Sequence, residues 1–290
     1  MNLSAITVSF PIDMETYNEL NGLCETAEQA DLKSYRSVMN LAIAKSYEAR
    51  GFFVLIYDDA REVLVGAASA VDLMGLNTYE WSILVDPMYR QIGVGEALIN
   101  VLREAFSARG SEGDLALTVD GAHFGAEFLL KIGYRYSFSE ATLEAKAEVA
   151  TADFSFLMRK FEKKDVDALV EIFTQGFGDT YEESLDLIAF NTSTEGLCLW
   201  VAERDGEVIG TITTRKEGDA HWVTAFAVNP KFGGQGIGSE MLAWVKDYVL
   251  RSGENSVMLD VEVDNSHALF IYEKNGFMIS TQVNYFVFVG

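Results

Sequence analysis

The stretch "NPKFGGQGIGSEML", Asn229 to Leu242, sets four glycines among the six positions 233–238 and then runs straight into an apolar helical period. Glycine loses more conformational freedom on folding than any other residue, so such a density at a helix entrance is costly unless something offsets it. An anion does so. With no Cβ in the way, main-chain N–H groups approach phosphate oxygens closely, and the positive end of the helix dipole adds attraction. A tight strand-to-helix turn with no ligand is the other reading, and a lone Gly-x-Gly does not separate the two.

The chain says nearly the same thing twice. Upstream stands "VDPMYRQIGVGEAL", Val85 to Leu98, and a constant offset of 143 positions relates Val85 to Val228, Pro87 to Pro230, Gly93 to Gly236, Gly95 to Gly238, Gly110 to Gly253 and Gly133 to Gly276. No insertion interrupts that span, which reads as two copies of one domain joined between Ala141 and Asp153. The 290 residues suit two domains of common size, placed at 1–150 and 151–290.

Composition limits what the pair can bind. With 44 Asp plus Glu against 22 Lys plus Arg, a net charge of −22 opposes long-range attraction to DNA, RNA or anionic membranes. Any anionic ligand must be gripped by local geometry. Two cysteines, Cys24 and Cys198, make no disulfide framework and fit a reducing cytoplasm, and no His/Cys spacing suits a metal. No apolar run reaches membrane-spanning length, and "MNLSAITVSF" lacks the basic flank and apolar core of an export signal, so a cytoplasmic protein is expected.

Both halves give the same order of elements. In the second, "FSFLMRKF" reads as a strand, "DVDALVEIFTQGF" and "SLDLIAFNT" as helices, and the run from Leu197 to Asn229 as three strands, the first two joined at Asp205-Gly206. Ile237, Met241, Val245, Tyr248 and Val249 recur at helical spacing and stop near Gly253. "SVMLDVEV" is a strand, "SHALFIYEKNG" a helix, and "FMISTQVNYFVFVG" one or two closing strands. In the first half "GFFVLIYDDAREVLVGAASAV" and "TYEWSILVD" supply strands, while Val94, Leu98, Val101, Leu102 and Ala105 mark a helix. Hairpin strands followed by a strand-helix-strand unit predict an α/β fold with a mixed sheet.

At these residues each half resembles an acyltransferase domain of the Gcn5-related N-acetyltransferase (GNAT) superfamily, and the duplication is similar to the tandem arrangement of mycothiol synthase. The likeness covers nearly the whole chain. It implies a segment Arg/Gln-x-x-Gly-x-Gly/Ala that binds the pyrophosphate of acetyl-coenzyme A, and later an Asn with Ala three and Tyr seven residues on, before Gly-Phe. Arg90, Gly93 and Gly95 match the phosphate segment fully, with Gln91 and Val94 at its unspecified positions. In the second copy Gly236, Ile237 and Gly238 match, but the leading position is Gly233, so binding there would rest on main-chain amides from Gly234 and Gln235 to Gly238. The later segment reverses the ranking: Asn265, Ala268, Tyr272, Gly276 and Phe277 all match, whereas the first copy has Ala122, Gly125, Leu129, Gly133 and Tyr134.

That tyrosine has a chemical use, since a phenol within reach donates a proton to the departing thiolate when an amine attacks a thioester. As a plain amphipathic core residue it would need only a satisfied hydroxyl. An amide near the end of the fourth strand, at Val228, would serve the developing oxyanion. A general base is harder to read. Glu80 lies on that strand in the first copy; the second offers His221, Asp260 and Glu262, of which Glu262 ranks first because it leads into Asn265. The expectation is an acetyl-CoA-dependent transferase acting on a small-molecule primary amine, catalytic in the second copy and degenerate in the first, as a monomer or homodimer without nucleic-acid or membrane partners. A non-catalytic acyl-CoA sensor and a purely structural duplication are the alternatives.

Overall fold

The computed structural model describes residues 2–151, 153–217 and 220–289. The chain divides into two compact units, Met1–Glu140 with Thr281–Gly290, and Ala141–Ser280. The division differs from the 1–150 and 151–290 of the repeat because the last strand is counted with the first unit, where Val283–Val287 pair antiparallel with residues 115–119.

The first unit holds β1 (Leu3–Ser9), α1 (Met14–Asp31), β2 (Gly51–Asp58), β3 (Val63–Val71), β4 (Thr78–Val85), α2 (Val94–Arg109), β5 (Gly113–Val119), α3 (His123–Lys131), the start of β6 (Tyr134–Lys146) and most of β12 (Met278–Phe288). Its strands run in the order β1-β2-β3-β4-β5-β12-β6. Strand β2 shows why both sheet faces are covered. "GFFVLIYD" is apolar almost without a break, and alternation sends Phe52, Val54 and Ile56 to the α2 side and Phe53 and Leu55 to the α1 side. All five are at most 2% exposed.

The second unit continues with β7 (Leu157–Lys160), α4 (Val166–Gly176), α5 (Tyr181–Ser193), β8 (Leu197–Arg204), β9 (Glu207–Glu217), β10 (Ala220–Val228), α6 (Ile237–Arg251), β11 (Ser256–Glu262) and α7 (Ser266–Lys274), with strand order β6-β11-β10-β9-β8-β7. Helix α5 starts three residues before the apolar segment "SLDLIAFNT" because Thr180 and Glu183 form a reciprocal cap. The β8–β9 hairpin turns at Asp205-Gly206 with φ of 56° and 82°, both in the left-handed region that a two-residue primed turn requires. One core lies between the sheet and α6, the other under α4 and α5.

What positions the site is a parting of parallel strands. The β10–β11 ladder extends only from Ala220–Ser256 to Val223–Leu259. Beyond Val223, β10 bulges against β9 between Thr224 and Ala227, with Ala225 at φ 46°. An extra residue on one strand bends it away from its neighbour. The carboxyl ends of β10 and β11 therefore open as a cleft, the place where parallel sheets bind ligands.

Candidate active site

The cleft measures about 880 Å³ and is walled by the parted ends of β10 and β11, the glycine turn, the entrance of α6 and one face of α7. Gly233, Gly234, Gly236, Ile237 and Gly238 line it, together with Val228, Glu262, Asn265 and Tyr272. Residues read as one site from two separate motifs thus share one cavity.

The turn is shaped for an anion. Gly236 is the N-cap of α6 at φ 82° and offers no side-chain cap. The first helical bond runs from the Glu240 amide to the Gly236 carbonyl, 3.1 Å, so helix geometry leaves the amides of Ile237, Gly238 and Ser239 over. A Cβ on Gly234 or Gly236 would meet nothing within 4 Å, so the space in front of these amides is open. This donor set fits a diphosphate. Gln235 is outside the lining; its side-chain oxygen accepts from Arg204, 2.9 Å.

The Asn229 amide donates to Ile209, 2.9 Å, so by alternation the neighbouring Val228 amide faces away from β9. Asn265 caps α7 by accepting from the Ala268 amide, 3.1 Å. Tyr272 is 8% exposed, packed between Phe226 and Phe277. Its hydroxyl makes no hydrogen bond among the described residues, and burial pushes its pKa up to about 12, so the proton is held firmly at neutral pH.

Among the candidate bases, Asp260 and Glu262 line the cleft. Burial raises the Asp260 pKa, partly opposed by the Thr142 hydroxyl, which donates to it at 2.6 Å. His221 is elsewhere, 6% exposed beside Tyr248 and Glu254 at the start of β10, with neither ring nitrogen hydrogen-bonded among the described residues. Glu80 sits on β4 of the first unit, its pKa raised by burial and then by the charge of Glu140.

In the first unit Gly93 caps α2 at φ 97°, again without a side-chain cap, and Gln91 has φ 60°. Val94 is buried, and the Phe128 ring stands 3.5 Å from where a Cβ on Gly95 would be. Arg90 is tied down: both terminal nitrogens donate to Asp31, at 2.7 and 2.6 Å, and its Nε donates to the Val85 carbonyl.

Several lining residues escape sequence reading, among them Phe177 at the end of α4, Thr224 and Ala225 in the bulge, and His267, Phe270 and Lys274 on α7. The α7 members had a usable signal, since positions 267, 270, 271 and 274 share one helical face with the motif residues behind it. Among the described residues no cluster of metal ligands occurs, and no helix is long and apolar enough to cross a membrane.

Comparison with known proteins agrees with this geometry. The family model described as "Acetyltransferase (GNAT) family" matches residues 15–134 and again 166–277. A mycothiol acetyltransferase of Clavibacter michiganensis is 28% identical over 229 residues, covering 73% of this chain and 72% of its own. An uncharacterized N-acetyltransferase of Methanocaldococcus jannaschii is 33% identical over 123 residues, 42% of this chain and 77% of its own. The crystal structure of a GCN5-related N-acetyltransferase from Sphaerobacter thermophilus superposes with a TM-score of 0.73 at 17% identity, covering 97% of this chain and 94% of the other, a likeness of fold. With two matched segments over most of its length, each carrying its own glycine turn, the chain belongs to the acetyltransferase (GNAT) family.

Proposed function

We propose that the second unit transfers the acetyl group of acetyl-coenzyme A to the primary amine of a small molecule, by direct attack, and that the first unit is a catalytically degenerate partner. Acetyl transfer from acetyl-coenzyme A to an amine follows from the family and from the N-acetyltransferase relatives. The likeness to mycothiol acetyltransferase supports a small-molecule acceptor. The observation that carries the assignment to the second unit is Tyr272, a side chain about nine-tenths buried whose hydroxyl has no partner among the described residues, in the cavity that the uncapped α6 amides also line.

Bound acetyl-coenzyme A supplies a thioester whose C–S bond breaks as the C–N bond to the amine forms. The amides from Gly234 to Ser239 hold the diphosphate, with Gln235 and Ile237 as backbone members of that turn. Val228 offers its N–H to the carbonyl oxygen as charge collects there. Glu262 takes the first proton that the attacking ammonium must lose, Tyr272 donates its own to the leaving sulfur, and the second proton shed by the nitrogen as the amide forms restores the Tyr272 phenol. Asn265 fixes the start of α7 and hence the position of Tyr272 seven residues on. The equivalent first-unit residue, Leu129, has no proton to give.

Thiol release from acetyl-coenzyme A, measured across a library of primary amines, tests this. Turnover that falls about 100-fold or more in Tyr272→Phe supports the reading, in line with the usual range for general acid catalysis. Calorimetric binding of the donor without turnover of any amine would instead make the protein an acyl-CoA sensor.

A further inference from the structure

The acceptor side of the cleft carries a charge pattern that the transfer chemistry alone does not need. Along β11, Val257, Leu259 and Val261 are buried toward α6, so alternation turns Asp260 and Glu262 to the opposite face, where both line the cleft. Thr142 occupies one Asp260 oxygen; the other has no hydrogen-bond partner among the described residues, and neither does the Glu262 carboxylate. Thr224 lines the same region, and so does Phe177, whose ring is 46% exposed and stacks on Phe173 at 5.4 Å. The cationic side chain in the lining, Lys274, lies on the α7 face that also carries His267, Phe270 and Ile271.

One carboxylate suffices to accept a proton. A second, two residues along the same strand face, makes the mouth attractive to a second positive charge and repels an acceptor bearing a carboxylate. An aromatic ring at the rim favours a cation as well. Tyr272, a side chain about nine-tenths buried whose hydroxyl has no hydrogen-bond partner among the described residues, lines the same cavity and marks it as a place where a ligand binds.

We propose that the acceptor is an aliphatic diamine, its reacting nitrogen delivered to Glu262 and its second ammonium held by the free oxygen of Asp260. Residues two apart on a strand are separated by about 7 Å, a span that a chain of about four or five methylenes bridges. The methylenes lie against Phe177, and the product keeps one charged amine. This assignment rests on the reading of the cleft as an acetyl-transfer site and adds a specificity to it.

The test compares kcat/KM of the full chain for 1,4-diaminobutane, 1,5-diaminopentane, n-butylamine and 4-aminobutanoate with acetyl-coenzyme A. The diamines should exceed butylamine by about tenfold, the scale of one charge-assisted hydrogen bond, and the amino acid should be poorest. In Asp260→Asn the diamine-to-butylamine ratio should collapse toward one. Equal rates for diamine and monoamine, or a preference for 4-aminobutanoate, overturn the diamine assignment while leaving acetyl transfer intact. A ratio that survives in Asp260→Asn overturns the role of that residue. No turnover of any amine, with the donor bound, removes both.

Discussion

The two units present the same helix entrance and different side chains behind it. Gly93 and Gly236 both cap their helices in the left-handed region, at φ 97° and 82°, and neither entrance has a side-chain cap. Behind the second stands Tyr272; behind the first stands Leu129, 3% exposed within the core. The strands differ too. The ladder from β3 to β4 runs in unbroken register from Gly66–Val85 to Val71–Glu80, whereas β9–β10 is bulged between Thr224 and Ala227. Backbone open to an anion costs little to keep, because the turn also connects strand to helix. On the proposed reading, side chains that do chemistry, and a bulge that makes room for them, have no such second use.

The largest effect expected from this contrast is at the two caps. Gly236→Glu and Gly93→Glu impose the same left-handed strain on a non-glycine residue, about 1–2 kcal/mol each, so that cost cancels between them. What remains is a carboxylate in the diphosphate path of one unit or the other. Acetyl transfer should fall at least about 100-fold in Gly236→Glu and by less than about threefold in Gly93→Glu. Equal losses would show that both units share the work.

Tyr272→Phe comes next and sharpens the comparison, since it removes one oxygen from a ring whose packing against Phe226 and Phe277 is otherwise kept. Donor binding, read by calorimetry, should be unchanged within about twofold while kcat falls about 100-fold. A parallel loss of binding would mean the hydroxyl grips the donor instead of protonating the sulfur.

Much of this was legible in residue order, for physical reasons. The glycine turns and the "N…A…Y" segment are local, so their spacing survives in sequence, and the 143-residue offset repeats it. Apolar alternation in β2 and the helical period of α6 are likewise local. The cleft is not. It exists because β10 and β11 stop pairing after Val223–Leu259, and Ala225 at φ 46° carries no signal of glycine or asparagine. Phe177 reaches the cleft only because α4 ends there. The pairing of β12 with β5 joins positions more than 160 apart, which no window of sequence reveals.

Arg90 shows the limit from another side. Its place in the phosphate motif suggests a ligand contact, yet its guanidinium is spent on Asp31 in a bidentate pair, with both side chains about a quarter exposed. Asp31 is held below its usual pKa first by this hydrogen bond, and Tyr35 donates to it as well. Arg90→Met should therefore lower stability by about 1 kcal/mol, or roughly 2–4 °C in Tm, without changing the KM for acetyl-coenzyme A more than about twofold. A rise in KM with unchanged Tm would return Arg90 to the donor.

The smallest effect concerns His221, which has a partner in the second unit only in the sense of a neighbour. Its Nε2 is 3.4 Å from Glu254, and both ring nitrogens are buried without a hydrogen bond among the described residues. Burial lowers its pKa from 6.5, outweighing the attraction of Glu254, while Lys216 pushes the same way as burial. A base whose folded pKa lies below its unfolded value binds more protons unfolded, so stability falls as pH drops below about 6.5 and levels off beneath the folded pKa. Glu254 acts elsewhere on the scale: Lys216 holds its pKa below 4.5, so the stability it contributes is present above 4.5 and lost only at more acid pH. His221→Phe keeps an aromatic ring against Tyr248 and removes the titration. Between pH 7 and pH 5 the Tm of the wild-type protein should fall further than that of the variant, and parallel curves would show that the imidazole carries no such penalty.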